Sequence, residues 1–402
     1  MLLSTMSKSG HTVRAVTIAS ALAIIIAGCG TGGDTAKVSE PVVDIHSLDV
    51  GGYPTKPQVF GTVKNMDEAR VVEATRLAEH VPLAMEIDPR FTYKDSGSES
   101  IYIHPDALSG IMYTAKFAEA APDFISGFIS QGQTTPSNQG LHLINAVLLF
   151  PDEHKASQAA KDLERVDFEY TEHNERVHIP KYPEAAAHWL PNTQSIGSWF
   201  ATGNLVIFTW IYDYLKSWLE KVDLNALTSL VEKSLDTIVP AVKHFVPTPQ
   251  HKLTELPADN EGILGRTLPR EDPSPLPDPP AVYTGRSALH LSEKPDEDKE
   301  TFEELGVDIY AERGSKLFRA RDKDAAANLV EEVLAGKQYR RSAPPEALPM
   351  AKCKEYAGNN SFVPRFYCAV PYERYVAYVW SMQETDVHQK VSAQYALLTE
   401  AK

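Results

Sequence analysis

The chain has 402 residues, 43% of them hydrophobic, with 39 basic against 54 acidic side chains and a net charge of −15. That acidity is spread along the sequence and argues against nucleic acid as a partner and against electrostatic docking on anionic lipid. The length suffices for two domains, each with its own core.

Lys8, His11 and Arg14 precede an uncharged run from Ala15 to Gly28, whose apolar core is Val16 to Ile26. A basic start and a short apolar segment predict an export signal over residues 1–28. The run is well short of the ~20 residues a membrane-spanning helix needs. It ends in Ile26-Ala27-Gly28-Cys29, which resembles the lipobox of bacterial lipoproteins. The resemblance implies a diacylglyceryl group on the Cys29 thiol, with acyl chains of the palmitate type, and cleavage of the bond before it. Slim Ala27 and Gly28 suit such a cleavage; the alternative is an ordinary signal with a cysteine there by chance. Each buried methylene adds about 0.8 kcal/mol, so two or three acyl chains would hold the protein on a membrane. Loss of residues 1–28 removes Lys8 and Arg14 and no acid, leaving a net charge of −17. Small polar residues from Gly30 to Ser39 predict a flexible tether, taken to residue 45.

Further along, an apolar stripe predicts a helix near Met66 to His80. His104-Pro105-Asp106 is the tripeptide of co-chaperone J-domains, but it lacks their basic helix; Asp106 is expected to cap a helix from Ala107 to Tyr113 instead. "LHLINAVLLF" (Leu141 to Phe150) reads as a buried strand. A helix follows from about Asp152 to Val166, capped by Asp152, with Ala156, Ala159, Ala160 and Leu163 on one stripe. "SIGSWFATGNLVIFTWIYD" predicts a hairpin turning at Thr202-Gly203-Asn204. A helix from about Asp223 to Val242 closes this half. Nine prolines between Pro247 and Pro280 then bar helix interiors and central strands, so an extended connector is expected there.

Beyond the connector the same order returns. "SKLFRARD" leads into a helix from Asp322 to Ala335 with Gly336 as its stop. A hairpin, "RFYCAVPYERYVAYVWSM", and a helix from about Thr385 to Leu398 follow. Trp210 and Trp380 fall at matching places in the outgoing strands of the two hairpins. The expected fold class is therefore α+β, with two related domains, residues 46–246 and 281–402. Each would hold a small antiparallel sheet with packed helices, in strand–helix–hairpin–helix order, joined by the proline-rich linker 247–280. Two unrelated domains sharing a motif order are the alternative. With Cys29 acylated, Cys353 and Cys368 remain as an even pair in an oxidising compartment and are expected to be bridged. Closing a loop of about 15 residues would add roughly 3 kcal/mol. A reactive thiol pair, the other reading, lacks a C-x-x-C spacing.

"DVGGYPTKP", "LPDPPAVYTGRSALH", "GVDIYAERGSKLFRARD" and "VHQKVSAQYALL", together with the lipobox cysteine, resemble a family of actinobacterial lipoproteins. These occur in mycobacteria, nocardiae and their relatives and carry a tandem domain of unknown function. The resemblance covers nearly all of the mature chain and implies the architecture and the location. It brings no activity and no functional residues.

Residue patterns that carry chemistry are scarce. Glu172, His173, His178, Glu184 and His188 crowd into seventeen residues, but their spacing matches no zinc motif. Surface histidines in a polar loop are expected, with His188 and Trp189 helping the hairpin to pack. No G-x-S-x-G elbow, S-x-x-K motif, Walker loop or G-x-G-x-x-G fingerprint occurs in the mature chain. "SGFISQG" around Ser130 misplaces its glycines, although a dispersed triad stays open. No metal and no cofactor are expected. Trp189, Trp199, Trp210 and Trp218 lie within thirty residues, with Phe200, Phe208, Tyr212 and Tyr214 among them. Such density reads either as a core under the hairpin's helices or as a ligand cleft lined by Trp199, Trp210, Tyr212 and Tyr214. The leading expectation is a non-enzymatic lipoprotein on the extracytoplasmic face of the membrane, binding an apolar envelope molecule or a protein. An envelope hydrolase with a dispersed site is the alternative.

Overall fold

The computed structural model describes residues 43–400, apart from 95–96, 138, 272–273, 275 and 337. Cys29 and the rest of the expected signal and tether up to residue 42 lie outside the described residues. In chain order the first half runs through α1 (Met66–Ala78), α2 (Ala84–Ile87), β1 (Ile101–Tyr102), α3 (Phe117–Ala120), β2 (Ser126–Gln133) and β3 (Leu141–Leu149). It continues with α4 (Glu153–Phe168), β4 (Glu175–Val177), β5 (Ala186–Leu190), β6 (Ser195–Thr202), β7 (Leu205–Asp213), α5 (Tyr214–Trp218) and α6 (Leu224–Val242). The second half opens with β8 (Ala281–Thr284), α7 (Gly285–Ala288), α8 (Pro295–Leu305), β9 (Ile309–Glu312) and β10 (Lys316–Arg319). Then come α9 (Lys323–Val333), β11 (Tyr339–Ser342), β12 (Lys352–Tyr356), β13 (Phe366–Tyr372), β14 (Tyr375–Ser381) and α10 (Glu384–Thr399).

The α+β class and the division into two halves hold. Two seven-stranded sheets form, ordered β1-β2-β3-β7-β6-β5-β4 and β11-β12-β13-β14-β10-β9-β8, every pair antiparallel. Adding seven to each strand number of the first order, and reading it backwards, reproduces the second. The helices obey the same rule: α4 and α9 follow the third strand of their sheets, and α6 and α10 follow the seventh. The register extends it to residues, because Thr202 pairs with Leu205 and Tyr372 with Tyr375 across equivalent two-residue turns. Counted from those turns, Trp210 and Trp380 occupy the same position.

Local chemistry explains the helices. Asp152, Asp223 and Asp322 each accept a hydrogen bond from the amide three residues on, at 2.8, 3.1 and 2.9 Å, satisfying donors the first turn leaves open. The Asp106 expectation fails: Pro105–Leu108 is a single 3-10 turn capped at His104, and the Asp106 side chain caps nothing. Proline at the first position suits that turn, and Gly110, at φ 79°, takes the chain out of helical geometry before Ile111 and Met112 can extend it.

Each sheet is covered on both faces. On the first, α4 packs Ala156, Ala159 and Leu163 over Ile144, Trp199 and Phe208, while α6 packs Leu227, Val231 and Leu235 over the opposite face. On the second, α10 sets Val387 and Val391 over Cys368, Val370 and Val379, and α9 covers the other face. The α6 face of sheet one and the α9 face of sheet two belong to one continuous apolar core, which also takes in α1.

The proline-rich stretch is more than a spacer. Its backbone makes short 3-10 turns at Gln250–Glu255 and Leu264–Arg266, and it buries Leu253, Ile263, Leu264 and Leu268. Proline forbids helix interiors, not burial. The segment before α1 is also committed, since Leu48 is buried with Val50 and Tyr53 against the α10 core of the second half. Across the seam, the buried carboxylate of Asp278 accepts from the amides of Ser100 and Ile101 at 2.8 and 2.7 Å. Arg286 donates to the carbonyls of Glu79 and Val81 and to the carboxylate of Glu86, and buried His290 places Nε2 3.1 Å from the Val81 carbonyl. Among the described residues no helix is long and apolar enough to cross a membrane.

Candidate functional site

A cleft of about 890 Å³ opens where the two halves meet. One wall is α1, presenting Val71, Val72, Thr75 and Arg76; β8 and the prolines before it supply Pro279, Pro280 and Val282. Phe60 and Val63 come from the segment entering α1, Phe245 from the chain leaving α6, Leu256 and Ala258 from the connector, and Arg313 from the β9–β10 turn. The size falls within the range of ligand sites, and an apolar surface forms the larger share of a lining that polar and charged side chains interrupt.

Those walls are pinned by buried polar contacts. Glu73, fully buried on α1, accepts from Thr248 through its amide at 2.7 Å and its hydroxyl at 2.8 Å, and from Arg76 at 2.6 Å. This fixes the segment carrying Phe245 and Val246. The Arg76 guanidinium lies 5.8 Å from the Phe245 ring centroid, and His80 meets the same ring at 5.7 Å. Burial holds the His80 imidazole below its ordinary pKa. Asp278 stands beside the Pro279–Pro280 wall, and burial raises its carboxyl to about 6, against the pull of Lys94 and the two amides. Two cations approach Phe60, Arg313 at 5.2 Å and Lys64 at 6.0 Å from the ring centroid.

The residues singled out by the sequence lie elsewhere. Trp199 is 1% exposed, under α4, stacked on His188 at 5.4 Å and against Phe208 at 4.6 Å. Trp210, Tyr212 and Tyr214 form a half-buried row at the end of β7, with centroids 5.7 and 4.1 Å apart. None of the four lines the cleft. Cys353 and Cys368 are directly opposed on β12 and β13 with their sulfurs at disulfide distance, beside His388. Of the histidine-rich loop, Glu172, His173, His178 and Glu184 are exposed and His188 is buried.

His188 is the one member with a built environment. Nδ1 lies 3.4 Å from Glu164 and Nε2 3.3 Å from Asp167, both on α4, and Arg176 completes the group on Glu164 at 2.7 Å. Burial alone would lower the imidazole pKa, but the two carboxylates overcome it and hold it above the ordinary value. With both ring nitrogens facing carboxylates, the imidazole has no nitrogen left to activate a hydroxyl. Ser130 is buried in β2 and donates to the Pro82 carbonyl at 2.8 Å, so it faces no open site. The sequence offered no motif for the cleft; its one signal was the proline cluster, which supplies Pro279 and Pro280.

Residues 60–258 match the family model described as Domain of unknown function (DUF7373) N-terminal, and residues 263–401 match its C-terminal counterpart. The boundary between the two falls beside cleft residues Ala258 to Asn260. No curated protein matches the chain. Among solved structures, the extracellular domain of PknH from Mycobacterium tuberculosis is similar over 40% of this chain and 94% of that chain, at 12% identity and a TM-score of 0.28.

Proposed function

The chain belongs to the DUF7373 family, and we propose that it is a non-enzymatic binding protein of an actinobacterial cell envelope, holding an apolar ligand in the cleft between its halves. An acylated Cys29 would place it on the outer face of the cytoplasmic membrane, a reading supported by the lipobox sequence and the basic, apolar segment before it. The single observation that carries the binding role is the cleft itself: about 890 Å³, mainly apolar, and built jointly by the two family domains. An apolar floor of that size favours a hydrocarbon-bearing molecule over a polar metabolite, because each buried methylene contributes about 0.8 kcal/mol. The occupation of both His188 nitrogens by carboxylates and the burial of Ser130 remove the nearest ingredients of a hydrolase.

Binding is tested with an uncharged apolar fluorophore, N-phenylnaphthylamine, on the full chain. The expected result is saturable binding that Val72→Trp abolishes by filling the cleft from its half-buried position on α1; undiminished binding to that variant would overturn the assignment. Cys29→Ser should abolish labelling by a radiolabelled fatty acid and release the chain from membranes. Unchanged membrane association would refute the anchor.

A further inference from the structure

The cleft carries its own indication of which apolar molecule it takes, given that it is a binding site. Arg313 lines it from the β9–β10 turn, half-buried, with its guanidinium 5.2 Å from the Phe60 ring. Its side-chain hydrogen bond goes to a neutral group, the Gln58 amide oxygen at 2.8 Å. No carboxylate among the described residues lies within ion-pair distance of it, although burial pulls its pKa down. The acid that acts on it from further away is Asp259, whose two oxygens accept the amides of Leu264 and Gly265 at 2.8 Å each. Lys64, exposed and 6.0 Å from the centroid of the same ring, has no carboxylate partner among the described residues either.

The remaining acids of the cleft are also engaged inside the protein. Glu68 accepts the Lys64 amide at 2.7 Å, Glu79 accepts the Thr284 hydroxyl, and Asp67 lies 3.5 Å from Arg70. In a chain of net charge −15 these two cations share one aromatic ring at the cleft and neither forms an ion pair among the described residues. Keeping a guanidinium half out of water without a counter-charge is costly, and an anion supplied from outside removes the cost. The fork of Arg313 suits a carboxylate or a phosphate, and Lys64 adds a point charge beside it.

We infer that the cleft binds an anionic amphiphile, its carboxylate or phosphate head held by Arg313 and Lys64 and its hydrocarbon chain laid over Val63, Val72, Phe245 and Leu256. A free fatty acid and a phosphorylated lipid share that chemistry.

Displacement of N-phenylnaphthylamine from the full chain by dodecanoate, dodecyl phosphate and dodecyl maltoside tests this. All three carry the same tail, and the third has no charge. At least one of the two anions should displace the probe about tenfold more tightly than the maltoside, the size of one charge-assisted contact. The stronger of the two identifies the head group. Arg313→Gln should bring that anion to the level of the maltoside, and exposed Lys64→Gln, which does not threaten folding, should weaken it severalfold. Arg313→Lys should retain part of the preference. Equal displacement by all three, or anion affinity untouched in both glutamine variants, overturns the inference while leaving the cleft a binding site. Failure of the fluorophore itself to bind would instead take down the binding site.

Discussion

Gly203 and Glu373 occupy the same place in the two halves, the first residue of the hairpin turn, with φ of 54° and 52°. Glycine reaches that left-handed region freely, and a glutamate there carries strain of order 1 kcal/mol. Glu373→Gly should therefore raise stability by about 0.5–1 kcal/mol in urea titrations, whereas Gly203→Val should lower it; a destabilised Glu373→Gly would show that the Glu373 side chain contributes something the turn geometry does not reveal. Asp278 acts through its ionisation. Its carboxyl, raised from 3.8 to about 6 by burial, favours folding while protonated. That contribution is complete below about pH 4 and is lost as pH rises through about 6. The loss corresponds to about 3 kcal/mol. Asp278→Asn keeps an acceptor for the Ser100 and Ile101 amides and cannot ionise. The variant should thus gain on the parent between pH 4 and 6 and stay ahead at pH 8. His290, pushed by burial to about 3, acts in the opposite sense, losing stability as pH falls below its ordinary value, so the difference between the two proteins is the quantity to read. Parallel stability curves for the two would eliminate the Asp278 account.

At the scale of elements, the β12–β13 pair depends on Cys353 and Cys368, 15 residues apart in sequence and directly opposed in register. Oxidised, they should add about 3 kcal/mol, mainly by restricting the unfolded chain. A reducing agent, or the Cys353→Ala/Cys368→Ala double variant, should lower the unfolding free energy by that order, and free thiols at both positions in non-reducing peptide mapping would remove the prediction. The elements also show what could be read from sequence. The helices were legible because an aspartate opens three of them and an apolar stripe follows; both hairpins were legible from alternation around a tight turn. β2 was not, because Ser126, Ser130, Gln131 and Gln133 are buried in a strand whose sequence looks half polar. Ser126 and Ser130 are accommodated by donating to the carbonyls of Arg70 and Pro82, partners that only tertiary structure supplies. The cleft was illegible for a related reason. Phe60, Val72, Phe245, Val282 and Arg313 come from five separate segments and form no motif. Aromatic density, the strongest signal in the sequence, led instead to Trp199 in the core under α4 and to a row on β7 outside the cleft.

For the whole molecule, the decisive fact is that the two halves are related in topology yet share one core. The α6 face of the first sheet and the α9 face of the second pack as a continuous apolar cluster with α1 between β2 and β8. Duplicated domains joined by a spacer would unfold separately; domains that bury common surface lose it together when either half opens. The connector and the segment before α1 strengthen the coupling, the first through Leu253 and Leu264, the second through Leu48, Val50 and Tyr53 on the α10 core. Equilibrium unfolding in urea should therefore be a single transition. Tryptophan fluorescence tests this well, since Trp189, Trp199, Trp210 and Trp218 belong to the first half and Trp380 alone to the second. Fluorescence consequently follows mainly the first sheet, while far-ultraviolet circular dichroism follows both. Coincident midpoints and slopes are expected, and a fluorescence transition clearly displaced from the dichroism transition would mean that the halves are thermodynamically independent. Independence would also loosen the cleft, because its two walls come from different halves. Cooperative unfolding and a preformed ligand site are in this molecule consequences of the same shared burial.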